Sequence, residues 1–228
     1  MAKTPTKSTI ERIRSEDAPR TIGRPSVDSA TVGREALIEA TCELLKKMPP
    51  RKMTRAEVAR ASGVDPSLIR YYFKNVHLLL IEAAKLFNAR YAHKVQLLTK
   101  RAGTDPEARL KVRIGALVDL IAEYPYYQRL IVEEILESDD PEAKALMERM
   151  TAGGIEGYAA IIEDGVAQGA FRRIDPALLF TSIIGLAEFQ TTAHALLNLP
   201  RRTTRISTDF RENYKNFIFD LIIQGLRP

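Results

Sequence analysis

Between about residue 31 and residue 225, apolar side chains return every three or four positions, and no stretch keeps the two-residue alternation of a strand. The pattern predicts an all-α chain. Leu37, Ala40, Leu44, Leu45 and Met48 form the first stripe, with Cys42 at its flank. Breaks fall at four Asp-Pro pairs: Asp65-Pro66, Asp105-Pro106, Asp140-Pro141 and Asp175-Pro176. Aspartate caps the unpaired N–H groups of a helix start, and proline fits the first turn because its missing N–H has no partner there. Tyr124-Pro125 interrupts another run, and the region from Gly165 to Gly169 ends one more. About nine helices are expected, near 31–47, 54–61, 65–72, 75–101, 106–123, 126–138, 141–168, 176–198 and 206–225.

The stretch from Thr54 to Leu80 is the most specific. Thr54 and Glu57 have the spacing of a capping box, and Ala56, Val58 and Ala59 are small enough to admit a neighbouring helix. Gly63 follows Ser62, where a left-handed backbone costs little and a helix can stop. Asp65 and Pro66 then restart a helix. Two helices across so short a turn make a helix-turn-helix, whose second helix can enter the major groove of double-stranded DNA. Ile69 and Phe73 read as the core of a small bundle. On the other face, Arg70 can give a bidentate pair to guanine O6 and N7, worth about 1–3 kcal/mol of base discrimination. Ser67 can reach a base edge or a phosphate, Leu68 can pack on a thymine methyl or on the bundle core, and Tyr71 reads with Arg70 as a DNA contact.

Charge is distributed to match. Residues 1–77 carry 15 Lys and Arg against 9 Asp and Glu, a net +6, whereas residues 78–228 carry 19 against 20, a net −1. Phosphate neutralisation is the leading sequence-independent term in DNA binding, so the positive excess lies with the motif that needs it. Residues 1–28 are polar, basic and aperiodic, and are expected to be a flexible arm. Within it Arg24, in Gly23-Arg24-Pro25, is a candidate for the narrow minor groove of A/T-rich DNA; a solvated tail is the other reading. The expected divisions are the arm at 1–28, a DNA-binding head at 29–77 and a helical body at 78–228.

Other chemistry narrows the class by its absence. No run approaches the roughly 18 apolar residues of a membrane span, and the N-terminus lacks a signal-peptide pattern, so a cytoplasmic protein without membrane partners is expected. Cys42 is the single cysteine, read as a buried inert thiol. His77, His93 and His194 lack the close pairing of a metal site, and no Gly-rich phosphate loop or nucleophile motif occurs, so no metal, cofactor or catalytic residue is expected. Glu133-Glu134 could turn one carboxylate inward, but a solvated or capped role is favoured.

The last two helices are apolar nearly all round. Phe180, Ile184 and Phe189 lie on the eighth, with Leu196 and Leu197 near its end, and Phe210, Tyr214, Phe217 and Leu221 form a seam on the ninth. Such helices must be covered on more than one side. A second copy of the chain is the expected cover, and a fully buried intrachain pair is the alternative.

Taken together, Arg34-Glu35-Ala36-Leu37, Thr54, Val58-Ala59, Ala61-Ser62-Gly63-Val64, the run Ile69 to Phe73 and Leu79-Leu80 resemble the tetracycline-repressor (TetR) family of one-component transcriptional regulators. The resemblance is close from Arg34 to Leu80; beyond that it is one of layout. It implies a homodimer, each subunit with a three-helix DNA-binding head and a ligand-binding body. It implies phosphate contacts from Thr54 and Arg55, recognition-helix roles for Ser67, Leu68, Arg70 and Tyr71, and a supporting aromatic at Tyr72. The chain departs from the pattern where such proteins often carry lysine and glutamate: here stand Val76 and His77, leaving Lys74 as the candidate phosphate contact.

A small-molecule effector is the remaining expected partner. Phe87, Tyr91, Ile121 and Tyr124, with Tyr127, Ile131 and Ile162, could line its cavity among the fourth to seventh helices, or could be plain core. The effector must prefer one arrangement of the fourth helix, which sets the separation of the two recognition helices, or it shifts nothing. Repression is the expected sign, although some members of the family bind DNA only with ligand. Competing readings are a sequence-tolerant architectural DNA-binding protein and a protein-interaction adaptor that has lost operator binding.

Overall fold

The computed structural model describes residues 27–197 and 207–228, with side chains from Gly33 to Gln190 and from Ser207 onward. Arg24 and its arm, and the side chains of His194, Leu196 and Leu197, lie outside the described residues. Among the described residues there are nine α-helices and no strand. They are α1 (Val27–Leu44), α2 (Arg55–Ser62), α3 (Pro66–Phe73), α4 (Val76–Arg101), α5 (Pro106–Glu123), α6 (Tyr127–Arg129), α7 (Pro141–Ala167), α8 (Pro176–Leu197) and α9 (Thr208–Leu226).

All four Asp-Pro pairs start helices as their chemistry predicts. The carboxylates of Asp65, Asp105, Asp140 and Asp175 accept the N–H of Ser67, Glu107, Glu142 and Ala177 at 2.7, 3.0, 2.8 and 2.8 Å. Helix α7 runs through Gly165, where the Phe171 ring lies against the backbone in the space a methyl group would need. It stops just before Gly169, which takes φ +70°. Arg172 then closes the far end of α9: its N–H donates to Leu226 O and its Nε to Gly225 O, both at 2.7 Å, serving carbonyls that the helix leaves unpaired.

The sixth helix differs from expectation. Instead of α-helix over 126–138, one short turn, α6, runs into a π-helix at Leu130–Leu136, marked by the Glu137 N–H to Val132 O bond at 3.1 Å. The apolar spacing explains this. Leu130 and Ile135 are both fully buried, yet five α-helical residues would leave them about 140° apart. The wider i→i+5 turn brings them to one side.

Three apolar clusters hold the unit Gly33–Pro228 together. The head cluster joins Leu37, Ile38, Val58, Ala59, Ile69, Phe73 and Leu79; Ala56 lies exposed and takes no part in it. A second cluster sets Leu80, Ile81, Ala84 and Phe87 of α4 against Cys42, Leu45, Leu130, Ile135 and Leu146. The third sets Leu110, Ile114 and Val118 of α5 against Ile161 of α7, Ile183 of α8, and Ile218 and Ile223 of α9. Each large side chain so buried contributes about 1.5–3 kcal/mol. The expected division at 77 and 78 falls in the first turn of α4. There Leu79 serves the head cluster and Leu80 the next, so one continuous helix carries both.

Candidate nucleic-acid interface

The head is assembled by local chemistry. Thr54 Oγ1 accepts the Glu57 N–H at 3.2 Å and Glu57 Oε2 accepts the Thr54 N–H at 3.1 Å, completing the capping box of α2. Gly63 follows in the left-handed region at φ +68°, and α3 starts at once behind Asp65. Ile69 and Phe73 turn inward, 0% and 4% exposed. That fixes the opposite face of α3: Ser67, Arg70 and Tyr71 are exposed, Tyr71 at 69%, while Leu68 is half-buried against the head cluster. Tyr72 packs edge-on between Tyr71 and Phe73, with ring centroids 4.9 and 6.2 Å away. Thr54 and Arg55 are exposed at the start of α2.

Lys74 sits in an unusual bend. Its backbone takes φ +63° and ψ −47°, and the Asn75 N–H donates to Phe73 O at 2.7 Å across it. This is a γ-turn of the strained, positive-φ kind. It joins α3 directly to α4, whose start is capped by Asn75 Oδ1 accepting the Leu78 N–H at 2.8 Å, and it leaves the Lys74 side chain exposed. Arg34 of α1 braces the same corner, pairing with Glu82 of α4 and lying 5.1 Å over the Phe73 ring.

The tetracycline repressor-like C-terminal domain family matches residues 103–228, more than half of the chain. The chain belongs to the TetR family. Among curated proteins it is similar to the HTH-type transcriptional regulator BetI of Rhizobium meliloti, 29% identical over 94 residues. That match covers 41% of this chain and less than half, 44%, of BetI. Solved TetR-type structures show the same fold. Transcriptional regulator FadR from Bacillus subtilis, in complex with stearoyl-CoA, aligns with a TM-score of 0.61 at 18% identity, over 84% of this chain and 98% of FadR. A TetR/AcrR-family regulator from Thermobifida fusca gives 0.62 at 18%, over 86% and 98%. AibR, in complex with isovaleryl coenzyme A and operator DNA, gives 0.63 at 14%, over 83% and 97%.

In this TetR-family chain the seven expected effector contacts are divided between apolar clusters. Phe87, Tyr124 and Tyr127 make an aromatic group in the second cluster, with Phe87 centroids 4.6 and 5.6 Å from the two tyrosines, and Ile131 packs on it. Ile121 and Ile162 belong to the third cluster, and Tyr91 to neither. Burial pushes the Tyr91 phenol up to about 12 and those of Tyr127 and Tyr158 higher still. A separate open cleft of about 340 Å³ on α7 is lined by Ala159, Ile162, Val166, Arg173, Ile174 and Pro176, sharing only Ile162 with the expected set.

On the terminal helices, Phe189, Phe217 and Leu221 are exposed at 59%, 59% and 52%. Phe210, Tyr214 and Phe217 stack in file along α9 at 5.9 and 6.5 Å. Phe180 and Tyr214 also face their own chain: Phe180 packs beside Gly154 and the Tyr158 ring, and the Tyr214 hydroxyl donates to Leu186 O at 2.8 Å. Ile184 is half-buried. Leu178, 68% exposed, extends the apolar face and escaped the sequence reading.

Glu133 and Glu134 are both half-buried rather than freely solvated. Glu133 Oε2 is buried without a hydrogen-bond partner, and Glu134 pairs with His77. Among the described residues no group of three potential metal ligands occurs, and no helix is long and apolar enough to cross a membrane.

Proposed function

We propose that this chain is a one-component transcriptional regulator that binds a palindromic DNA operator as a homodimer, its DNA affinity set by a small molecule held in the body. The observation that carries the reading is the polarity of α3. Ile69 and Phe73 anchor it in the head while Ser67, Arg70 and Tyr71 stand free on the outer face, at the end of the chain with the net positive charge. A helix so presented can lie in the major groove, with Thr54, Arg55, Tyr72 and Lys74 meeting the flanking phosphates and Leu68 at the edge of the contact.

Dimerisation is supported by the apolar file on α9 and by the exposed stripe Leu178, Ser182, Gly185, Phe189 on α8, spaced four, three and four residues apart. Four large apolar side chains left in water on two adjoining helices favour a self-complementary twofold interface. Effector control is supported by the acyl-coenzyme A complexes of two proteins of the same fold.

Selection of duplex DNA from a random pool by the purified protein tests the proposal. Recovery of an inverted repeat, with a specificity ratio that survives rising salt, is the expected result. Sequence-independent retention that disappears with salt would assign the head to an architectural role instead.

A further inference from the structure

Arg113 of α5 is a half-buried cation with no ion-pair partner among the described residues. Its guanidinium lies 4.6 Å over the Tyr158 ring and reaches the carbonyls of Gly153 and Gly154 of α7 only at 3.4 and 3.3 Å. Its Nε is buried without a hydrogen-bond partner, and no carboxylate among the described residues pairs with it. Arg109 and Lys215, the better-covered cations of the body, do have carboxylates, Asp164 and Asp119. Space for Arg113 is made by Gly157, because a methyl group there would overlap the guanidinium.

Three phenols gather near this cation. Tyr91 of α4 and Tyr158 of α7 lie within its electrostatic reach, and Tyr127 of α6 lies within reach of Tyr91 and, on its other side, of the half-buried Glu188 of α8. Tyr158 belongs to the third apolar cluster and Tyr127 to the second, so the polar group marks the seam between two hydrocarbon surfaces. A half-buried charge without an ion partner forgoes part of its hydration, and polar side chains at an apolar seam fix the orientation of whatever enters it.

We propose that Arg113 is the anchor for the carboxylate of an effector with one negative charge and an apolar or aromatic body. The inference rests on the reading of the body as an effector-binding domain and names the chemistry of that effector. A guanidinium fork matches a carboxylate in two parallel hydrogen bonds. The phenols of Tyr91 and Tyr158 supply further donors, and the apolar surfaces on either side take the hydrocarbon. A single guanidinium balances a monoanion, which favours a carboxylate over a phosphate dianion.

Calorimetric titration of the full chain with octanoate and phenylacetate, beside octanol, phenylethanol, the two methyl esters and octanoyl-coenzyme A, tests this. At least tenfold tighter binding of a carboxylate than of its neutral counterparts is expected. Arg113→Gln should abolish that preference and Arg113→Lys retain part of it. Gly157→Ala supplies a second variant, since it favours the helix yet displaces the guanidinium without altering charge. It should weaken carboxylate binding at least tenfold with the melting temperature kept. Equal binding by the neutral compounds, unaltered carboxylate binding in both Arg113→Gln and Gly157→Ala, or no binding by any carboxylate would each overturn the assignment. Operator affinity is measured separately on the same samples. A carboxylate that binds through Arg113 and leaves operator affinity unchanged would sink effector control but not the site. Release of DNA by octanoyl-coenzyme A alone, independent of Arg113, would do the reverse.

Discussion

His77 at the start of α4 donates its Nδ1–H to Glu134 Oε2 in the π-helical turn, at 2.7 Å and across 57 residues of sequence. An ionised carboxylate can only accept, which puts a proton on Nδ1. On the far side of the ring Nε2 lies 3.1 Å from Ser138 Oγ, which also accepts the Asp140 N–H at 3.1 Å. The residue that departs from the family pattern thus ties the helix leaving the head to the segment that departs from α-helical geometry. Removing it leaves a half-buried carboxylate with one partner fewer. His77→Ala should cost about 1 kcal/mol, or some 2–4 °C in melting temperature for a chain of this size. Scanning calorimetry at neutral pH checks it; an unchanged melting point would show the contact to be idle.

Acid should loosen the corner where α1 meets α4. Burial pushes the Glu82 carboxyl up, but hydrogen bonds from Lys85 and Arg34 outweigh it and hold the group below the ordinary value of 4.5. A carboxyl whose folded pKa is depressed adds stability that is complete above its unfolded value and lost as pH falls through its folded value. The melting temperature should therefore decline below about pH 4.5, and the decline should be shallower in Glu82→Gln, which starts lower at pH 7. Parallel pH profiles for the two proteins would contradict this.

Arg70 and Lys74 should fail in different ways on DNA. Arg70→Ala removes an exposed fork from the outer face of α3 and should relax preference at one base position per half-site, costing about 1–3 kcal/mol on the selected sequence. Lys74→Ala removes a charge at the helix junction and should weaken all sequences about equally while lowering the salt slope by about one per subunit. Binding titrations over a salt series on matched and mismatched duplexes separate them. If both variants bound every duplex like the parent, α3 would not be the reading helix.

Cys42 should be silent in the native protein. Burial, with a smaller contribution from Glu39, pushes its thiol up to about 12, so almost no thiolate exists at neutral pH. Alkylation by iodoacetamide at pH 7.5 should be negligible until denaturant unfolds the chain, and then rapid. Stoichiometric labelling of the folded protein would place the thiol at the surface and undo the packing assigned to α1.

What could be read from the sequence was whatever neighbours in the chain decide. The four Asp-Pro starts, the Thr54–Glu57 box and the Gly63 stop each involve residues within a few positions, and each lies where its chemistry puts it. Ile69 and Phe73 were legible as core because α3 has only one face to bury. Contacts between distant residues were not. Nothing local distinguishes Arg113 from any basic residue on a helix; its meaning comes from Gly157, 44 positions on. His77 and Glu134 each stood out in the sequence, but nothing local said that they pair. The π-turn escaped because a five-residue apolar spacing is also what a short irregular helix would show. On α8 and α9 apolar residues occur all round, so sequence could not say that Phe189 and Phe217 face out while Ile183 and Ile218 face in.

The π-turn has one more consequence. It holds about a residue more per turn than the short α-helical turn it continues, and it can regularise only by passing that residue along the chain. Such a step would swing Glu134 by about 100°, so the contact with His77 is either made or absent, with no stable setting between. Strain arriving at this segment from the body would be rounded to a whole residue before it reached α4. A shift of register there would be all or none, and the His77–Glu134 pair would register it by parting.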